Sequence, residues 1–292
     1  MNPLASLANR RRRLALSPYM GRAEIVECWD YDQLITFSLL PFTFFMKISE
    51  IYNFLNSFSP FATQEPWDNS GLTIGDPDRN IETVYLALDI TDDVITRAIS
   101  AGAELIITHH PVIFSPIKNI SSTSLCYKLI QNNLTCIALH TPLDITHTAE
   151  ALIRKLGYEN FEAIPDCPFM RIFDCGEMTA GKLATEISEK LECSVQVNLP
   201  GKILRKIAVV TGSAGEFYVE AKKYGADALL TGEAKYHEML NATHEDTAIL
   251  VAGHYDTEIP AVYALRKIIA NEFPELSVYA YDGKSPIKTY LG

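Results

Sequence analysis

Gly102-Ala103-Glu104-Leu105-Ile106-Ile107-Thr108 and Gly225-Ala226-Asp227-Ala228-Leu229-Leu230-Thr231 are two copies of one pattern: a Gly-Ala turn, an acidic residue and a short apolar run ending in threonine. The match extends without a gap from 86–110 onto 209–233. In each copy an apolar strand comes first (84–88; 207–210), then a stretch of helical spacing (92–100; 216–224), then the turn and a second strand. Beyond each unit a helical stretch leads to another apolar strand, 135–139 and 248–252, and these run into His140 and His254. Short apolar strands alternating with helices predict an α/β protein of two related layered halves with largely parallel or mixed sheets. Ligands of such sheets collect beyond the carboxyl ends of the strands. His109, His110, Asp144, Glu233 and His254 all follow predicted strand ends.

The boundaries follow from the same pattern. Ile48, Ile51, Tyr52, Leu55 and Phe58 recur at three- and four-residue spacing, so folding is expected to start with an amphipathic helix at Met46. Residues 46–150 form the expected first half, carrying His109, His110 and Asp144, and 207–292 the second, carrying His254 and Glu258. Residues 151–206 are expected to connect them, through the Pro-rich Ile164-Pro165-Asp166-Cys167-Pro168 and a small hairpin-and-helix region. Residues 1–45 do not fit. Arg10 to Arg13 and the apolar stretch 34–46 are separated by Glu24, Glu27, Asp30 and Asp32, unlike a secretory signal, and about 13 apolar residues are too few to span a bilayer. A poorly ordered extension, or the product of an upstream start codon, is expected there.

A net charge of -11 from 25 Lys and Arg against 36 Asp and Glu argues against a nucleic-acid-binding face. Six cysteines without a C-x-x-C pair read as reduced thiols. No membrane partner is expected, and the cytoplasm is the expected location.

The chemistry lies in histidines and carboxylates. A strand sends neighbouring side chains to opposite faces, so the pair His109-His110 is expected where the chain has begun to turn. Taken alone, the pair is as readily a hydrogen-bonded surface feature. His140-Thr141-Pro142-Leu143-Asp144 presents a carboxylate beyond the next strand, as a ligand or as a helix N-cap. His254 and Glu258 share one face if their segment is helical, as joint ligands or as an exposed pair. Together, three histidines and two carboxylates suit zinc, iron or manganese rather than calcium. Five ligands exceed what one zinc takes from protein, so two divalent transition-metal ions fit better.

Five motifs in order, Trp67-Asp68-Asn69-Ser70-Gly71-Leu72, Ile107-Thr108-His109-His110-Pro111, His140-Thr141-Pro142-Leu143-Asp144, Thr231-Gly232-Glu233 and Gly253-His254-Tyr255-Asp256-Thr257-Glu258, resemble the GTP cyclohydrolase 1 type 2 homologue (Nif-three-like) family from Met46 onward. The resemblance implies a two-domain α/β homohexamer with two metals between its domains, held by His109, His110, Asp144, His254 and Glu258. It implies proton transfer by Glu233 or His237. It further implies a metal-dependent hydrolase of GTP or another nucleotide, in which activated water opens the guanine imidazole ring at C8 and formate is released. The chain departs from the family after Asp144, reading Ile145-Thr146-His147 where a Gly-Asn signature is common. No P-loop is present to cradle a triphosphate. The rival reading is a non-catalytic protein of metal delivery, storage or partner binding.

Overall fold

A computed structural model describes residues 46–287; the expectations for residues 1–45 lie outside the described residues. The described residues begin with β1 (Met46–Lys47), α1 (Ile48–Phe58), β2 (Gly71–Ile74), β3 (Asn80–Ile81), β4 (Thr83–Ala87), α2 (Asp92–Ser100), β5 (Leu105–Thr108), α3 (Leu125–Gln131) and β6 (Thr135–Ala138). Helix α1 buries Ile48, Ile51 and Leu55, the face its spacing predicts. Strands β5 and β6 are buried along their whole length, as expected of central strands covered on both faces.

One helical run follows: α4 (Thr141–Leu143), a π-helical turn over Asp144–Thr148, and α5 (Ala149–Lys155). Then come β7 (Phe161–Ala163), β8 (Arg171–Thr179), α6 (Ala180–Leu191), β9 (Gln196–Val197), β10 (Ile203–Val209), α7 (Tyr218–Lys223), β11 (Ala228–Thr231), α8 (Tyr236–His244), β12 (Ala248–Val251), α9 (His254–Glu272) and β13 (Ser277–Ala280). The larger sheets have the orders β13-β4-β5-β6-β2 and β7-β8-β10-β11-β12-β9. Strands β4, β5 and β6 run parallel, as do β10, β11 and β12, while β2, β8 and β9 pair antiparallel at their margins. The architecture is the mixed α/β one that the strand-helix alternation predicts.

The repeat is preserved in register. Leu86 pairs with Ile107 in the first sheet and Val209 with Leu230 in the second, the equivalent positions of the two copies. The sequence boundaries hide two connections. Residues 151–206 supply β7, β8, β9 and α6, and so belong to the second sheet's layer. At the other end, β13 leaves the second half and pairs with β4, while Ala261, Val262, Leu265 and Ile269 of α9 enter the core with Leu86, Leu105 and Ile107. Local periodicity reports an element and its buried face but not its distant partner, so neither connection is visible in the pattern.

Helix α9 therefore holds its amino end at the second sheet's strand ends and its body in the first sheet's core. Truncating Leu265, 4% exposed, to alanine is expected to cost about 2–5 kcal/mol. Urea unfolding followed by circular dichroism and by near-ultraviolet signals should show one shifted transition. Two separated transitions would mean that the halves do not share this core.

Candidate metal centre

The site is assembled where β5, β6 and β12 end. Strand β5 runs into His109 and His110, whose successive amides both donate to β4, to Ala87 O at 3.3 Å and Leu88 O at 2.9 Å. A regular strand alternates its partners, so the chain has turned, and the two imidazoles stand with centroids 4.9 Å apart. Strand β6 runs into His140, and Pro142 starts the helical run that carries Asp144. Beyond β12, Gly253 at φ 89 opens α9, which puts His254 and Glu258 one turn apart on one face.

Three histidines are fixed by a hydrogen bond at Nδ1, and a fourth, His254, has a carboxylate beside its Nδ1. His109 Nδ1 lies 3.0 Å from Leu139 O; a carbonyl only accepts, so Nδ1 carries the proton. Asp89 Oδ1 stands 2.8 Å from His110 Nδ1, Asp68 Oδ1 2.9 Å from His140 Nδ1, and Glu233 Oε1 3.3 Å from His254 Nδ1. An acceptor on Nδ1 leaves the Nε2 lone pair of a neutral imidazole for a metal, the usual outer partnership of metal-binding histidines.

The Nε2 atoms converge on two carboxylates. Glu258 Oε2 is 3.1 Å from His110 Nε2 and 3.2 Å from His254 Nε2, while Glu258 Oε1 is 3.8 Å from His109 Nε2. His109 Nε2 is 3.4 Å from Asp144 Oδ1. Despite these approaches, His109 Nε2 and Glu258 Oε2 are buried without a hydrogen bond of acceptable geometry among the described residues. Buried polar atoms left unmatched are costly, and a cation between them would satisfy both. The donor groups His109/Asp144/Glu258, His110/His254/Glu258 and His109/His110/His140 each gather within 4.8 Å. Imidazole and carboxylate donors at these positions fit a transition metal. Gly212 makes room for the arrangement: a Cβ there would stand 2.3 Å from Glu258 Oε1.

Electrostatics support the same reading. Burial opposes ionisation of Glu258, but the charge of His109 and the contacts with His110 and His254 outweigh it, holding the carboxyl well below its usual range. Burial, with the neighbouring Glu258 carboxylate, pushes Asp144 up against the opposing pull of His109. For His110 burial favours the neutral form, yet Asp89 and Glu258 prevail and raise its pKa to about 10. Asp68 is likewise disfavoured by burial, and its bonds from His140, Thr141 and Ser70 still lower it far below the ordinary value.

All five residues expected as ligands, His109, His110, Asp144, His254 and Glu258, meet here. His140 joins them, although the sequence marked it only as a histidine at a strand end. Its signal lay in the register: Thr108 pairs with Ala138, so His140 leaves β6 beside the point where His109 leaves β5. Asp68 was visible only as part of a motif. Its Oδ2 accepts from Thr141 N at 3.1 Å, Thr141 Oγ1 at 2.6 Å and Ser70 Oγ at 2.8 Å, so it clamps the turn that follows His140. Of the residues expected to move protons, Glu233 touches His254, whereas His237 is exposed on α8 and does not line the adjoining cavity. His147 packs edge-on against Phe58, at 5.0 Å between centroids, and lies outside that cavity.

An α/β scaffold with a histidine-carboxylate cluster between two sheets defines the class of protein. The profile of the Duf34/NIF3 (NGG1p interacting factor 3) family matches residues 46–286, and the chain belongs to that family. It is 35% identical over 237 residues to the GTP cyclohydrolase 1 type 2 homolog of Campylobacter jejuni, covering 77% of this chain and 93% of that protein. To the GTP cyclohydrolase 1 type 2 of Helicobacter pylori it is 30% identical over 220 residues, covering 72% and 86%. A crystal structure of a Staphylococcus aureus protein superposes with a TM-score of 0.80 at 25% identity, covering 84% of this chain and 99% of that one. A Bacillus cereus protein related to NIF3 shares the fold, with a TM-score of 0.76 at 20% identity over 84% and 100% of the chains. No helix among the described residues is long and apolar enough to cross a membrane.

The raised pKa of His110 has a definite sign. Metal-free protein draws stability from protonated His110 that is fully present below 6.5 and is lost as the pH rises through about 10. Metal ligation requires the neutral ring, so loading at pH 7 should release at least about one proton per chain. Calorimetric titration with zinc in buffers of different ionisation enthalpy measures this number. No release would contradict the charge state assigned here.

Proposed function

We propose that the protein is a dinuclear metal-dependent hydrolase. The observation that carries this reading is the division of Glu258 between two donor groups, Oε1 toward His109 and Oε2 toward His110 and His254. His109, Asp144 and Glu258 would hold one ion, His110, His254 and Glu258 the other, with zinc, iron or manganese the fitting metals. When bound, two such ions act as Lewis acids and bring the ionisation of water toward neutrality. The chain's own groups orient and exchange protons. Asp89 and Asp68 fix the rings of His110 and His140, and His140 is placed to hold a proton at Nε2 on the cavity side of the cluster. Glu233 acts through His254 Nδ1, and His237 gains no step from this geometry.

The substrate we propose is a nucleotide, with GTP the one that the relatives' names supply. Opening its guanine ring at C8 consumes one water, and releasing formate from the resulting formamide consumes a second. A homohexamer is the assembly that the family resemblance leads us to expect, and the cytoplasm is the location we propose. A second reading, metal delivery without turnover, draws on the partial exposure of His254, whose side chain is 31% accessible.

Elemental analysis of purified protein should find about two metals per chain, consistent with a two-metal hydrolase. The double variant His109→Ala, Glu258→Ala should remain folded, lose both ions and lose metal-dependent GTP hydrolysis. The outer variant Asp89→Asn should weaken metal binding by about 10–100-fold. Turnover that persists in metal-free protein would overturn the hydrolase reading. Metal passed readily to an acceptor chelator, with no nucleotide turned over, would favour delivery.

A further inference from the structure

The cluster opens onto a cavity of about 850 Å³, within the range of small-molecule sites. Two features of its wall bear on what enters. Trp67 and Phe114 are 59% and 49% exposed, and both stand against His140, with centroids 5.6 and 5.5 Å from the imidazole. Phe169 and Phe217 line the cavity from the second half. Aromatic faces on both contributing halves suit a flat ring, since every heterocycle offers a π-face for stacking.

The second feature is charge. Apart from the histidines, the ionisable side chains of the cavity wall are carboxylates: Glu65, Asp89, Asp144, Glu216 and Glu258. Among the described residues no lysine or arginine lines it. Phosphate chains are normally met by Arg, Lys or an array of backbone N–H groups, and in the metal-free protein this wall offers no Lys or Arg among the described residues. Asp89, Asp144 and Glu258 are engaged by the histidines, whereas Glu65 and Glu216 have side-chain oxygens available to accept from N–H groups of a heterocycle.

We propose that this cavity selects a planar, uncharged heterocycle bearing N–H donors, at the level of a nucleobase or nucleoside, and that its stacking wall is Trp67 and Phe114. This rests on reading the cavity as the substrate site of the metal centre, and it narrows the nucleotide of that reading to its phosphate-free part. The specificity comes from stacking and N–H recognition, and the metal-free wall has no lysine or arginine to add affinity for a triphosphate.

The full chain carries two tryptophans, Trp29 and Trp67. In a Trp29→Phe background, Trp67 fluorescence reports the wall directly. Metal-free and zinc-loaded protein, with metal content measured on the same samples, would be titrated with guanosine, GTP and inorganic triphosphate. The expected result is saturable quenching by guanosine in both forms and, in the metal-free form, GTP binding no tighter than guanosine and no displacement of guanosine by triphosphate. By calorimetry, Trp67→Ala with Phe114→Ala should weaken guanosine binding about tenfold or more, at unchanged metal content. Binding of GTP tenfold tighter than guanosine by the metal-free form, with competition by triphosphate, would overturn the proposal. So would two bound metals with no binding of guanosine, an outcome that leaves the metal centre standing. Guanosine bound on Trp67 by protein that takes up no metal would instead sink the hydrolase reading and keep the wall.

Discussion

The carboxylate of Glu258 is 4% exposed and faces the Nε2 atoms of His109, His110 and His254. A buried carboxylate among imidazoles is stable only if positive charge is present, either as protons on the rings or as metal between the atoms. The rest of the site is arranged around that requirement. Leu139 O, Asp89 and Asp68 each hold an Nδ1 by a hydrogen bond and Glu233 stands beside that of His254, so every ring turns its other nitrogen inward. Gly212 leaves space where any side chain would strike the carboxylate. Proton-held and metal-held states of the same cluster are alternatives, which makes metal occupancy a competition with protons.

Helix α9 makes this possible at the level of the fold. It starts at His254, beyond β12 of the second sheet, and buries Val262, Leu265 and Ile269 against the first. Glu258, on its second turn, is thereby delivered to histidines from the ends of β5 and β6. His254 and Glu258 from one half thus meet His109, His110, His140 and Asp144 from the other, and the cavity beside them is walled by both.

Much of this was legible in the residues. The ungapped repeat marked the two strand-helix-strand units, and their equivalent pairings Leu86 with Ile107 and Val209 with Leu230 show that the similarity is structural. Spacing placed His254 and Glu258 on one helical face, and the donor set favoured transition metals. What the sequence could not reveal depends on contacts between distant residues. The return of β13 to β4, and the membership of β8 in the second sheet, are pairing choices without a local pattern. Asp68 and Asp89 serve histidines 72 and 21 positions away, so no spacing rule marks them. His140 escaped because it sits beside its partners only through the register of β5 and β6. The π-helical turn at Asp144–Thr148, a local widening often found at functional sites, likewise has no sequence signature here beyond the proline that starts the run.

The central claim is that Glu258 bridges two ions, and anomalous X-ray diffraction from crystals loaded with zinc tests it most directly. The account predicts two anomalous peaks on either side of the Glu258 carboxylate, one against His109 and Asp144 and the other against His110 and His254. A single peak remote from Glu258, or none in fully loaded crystals, would contradict it.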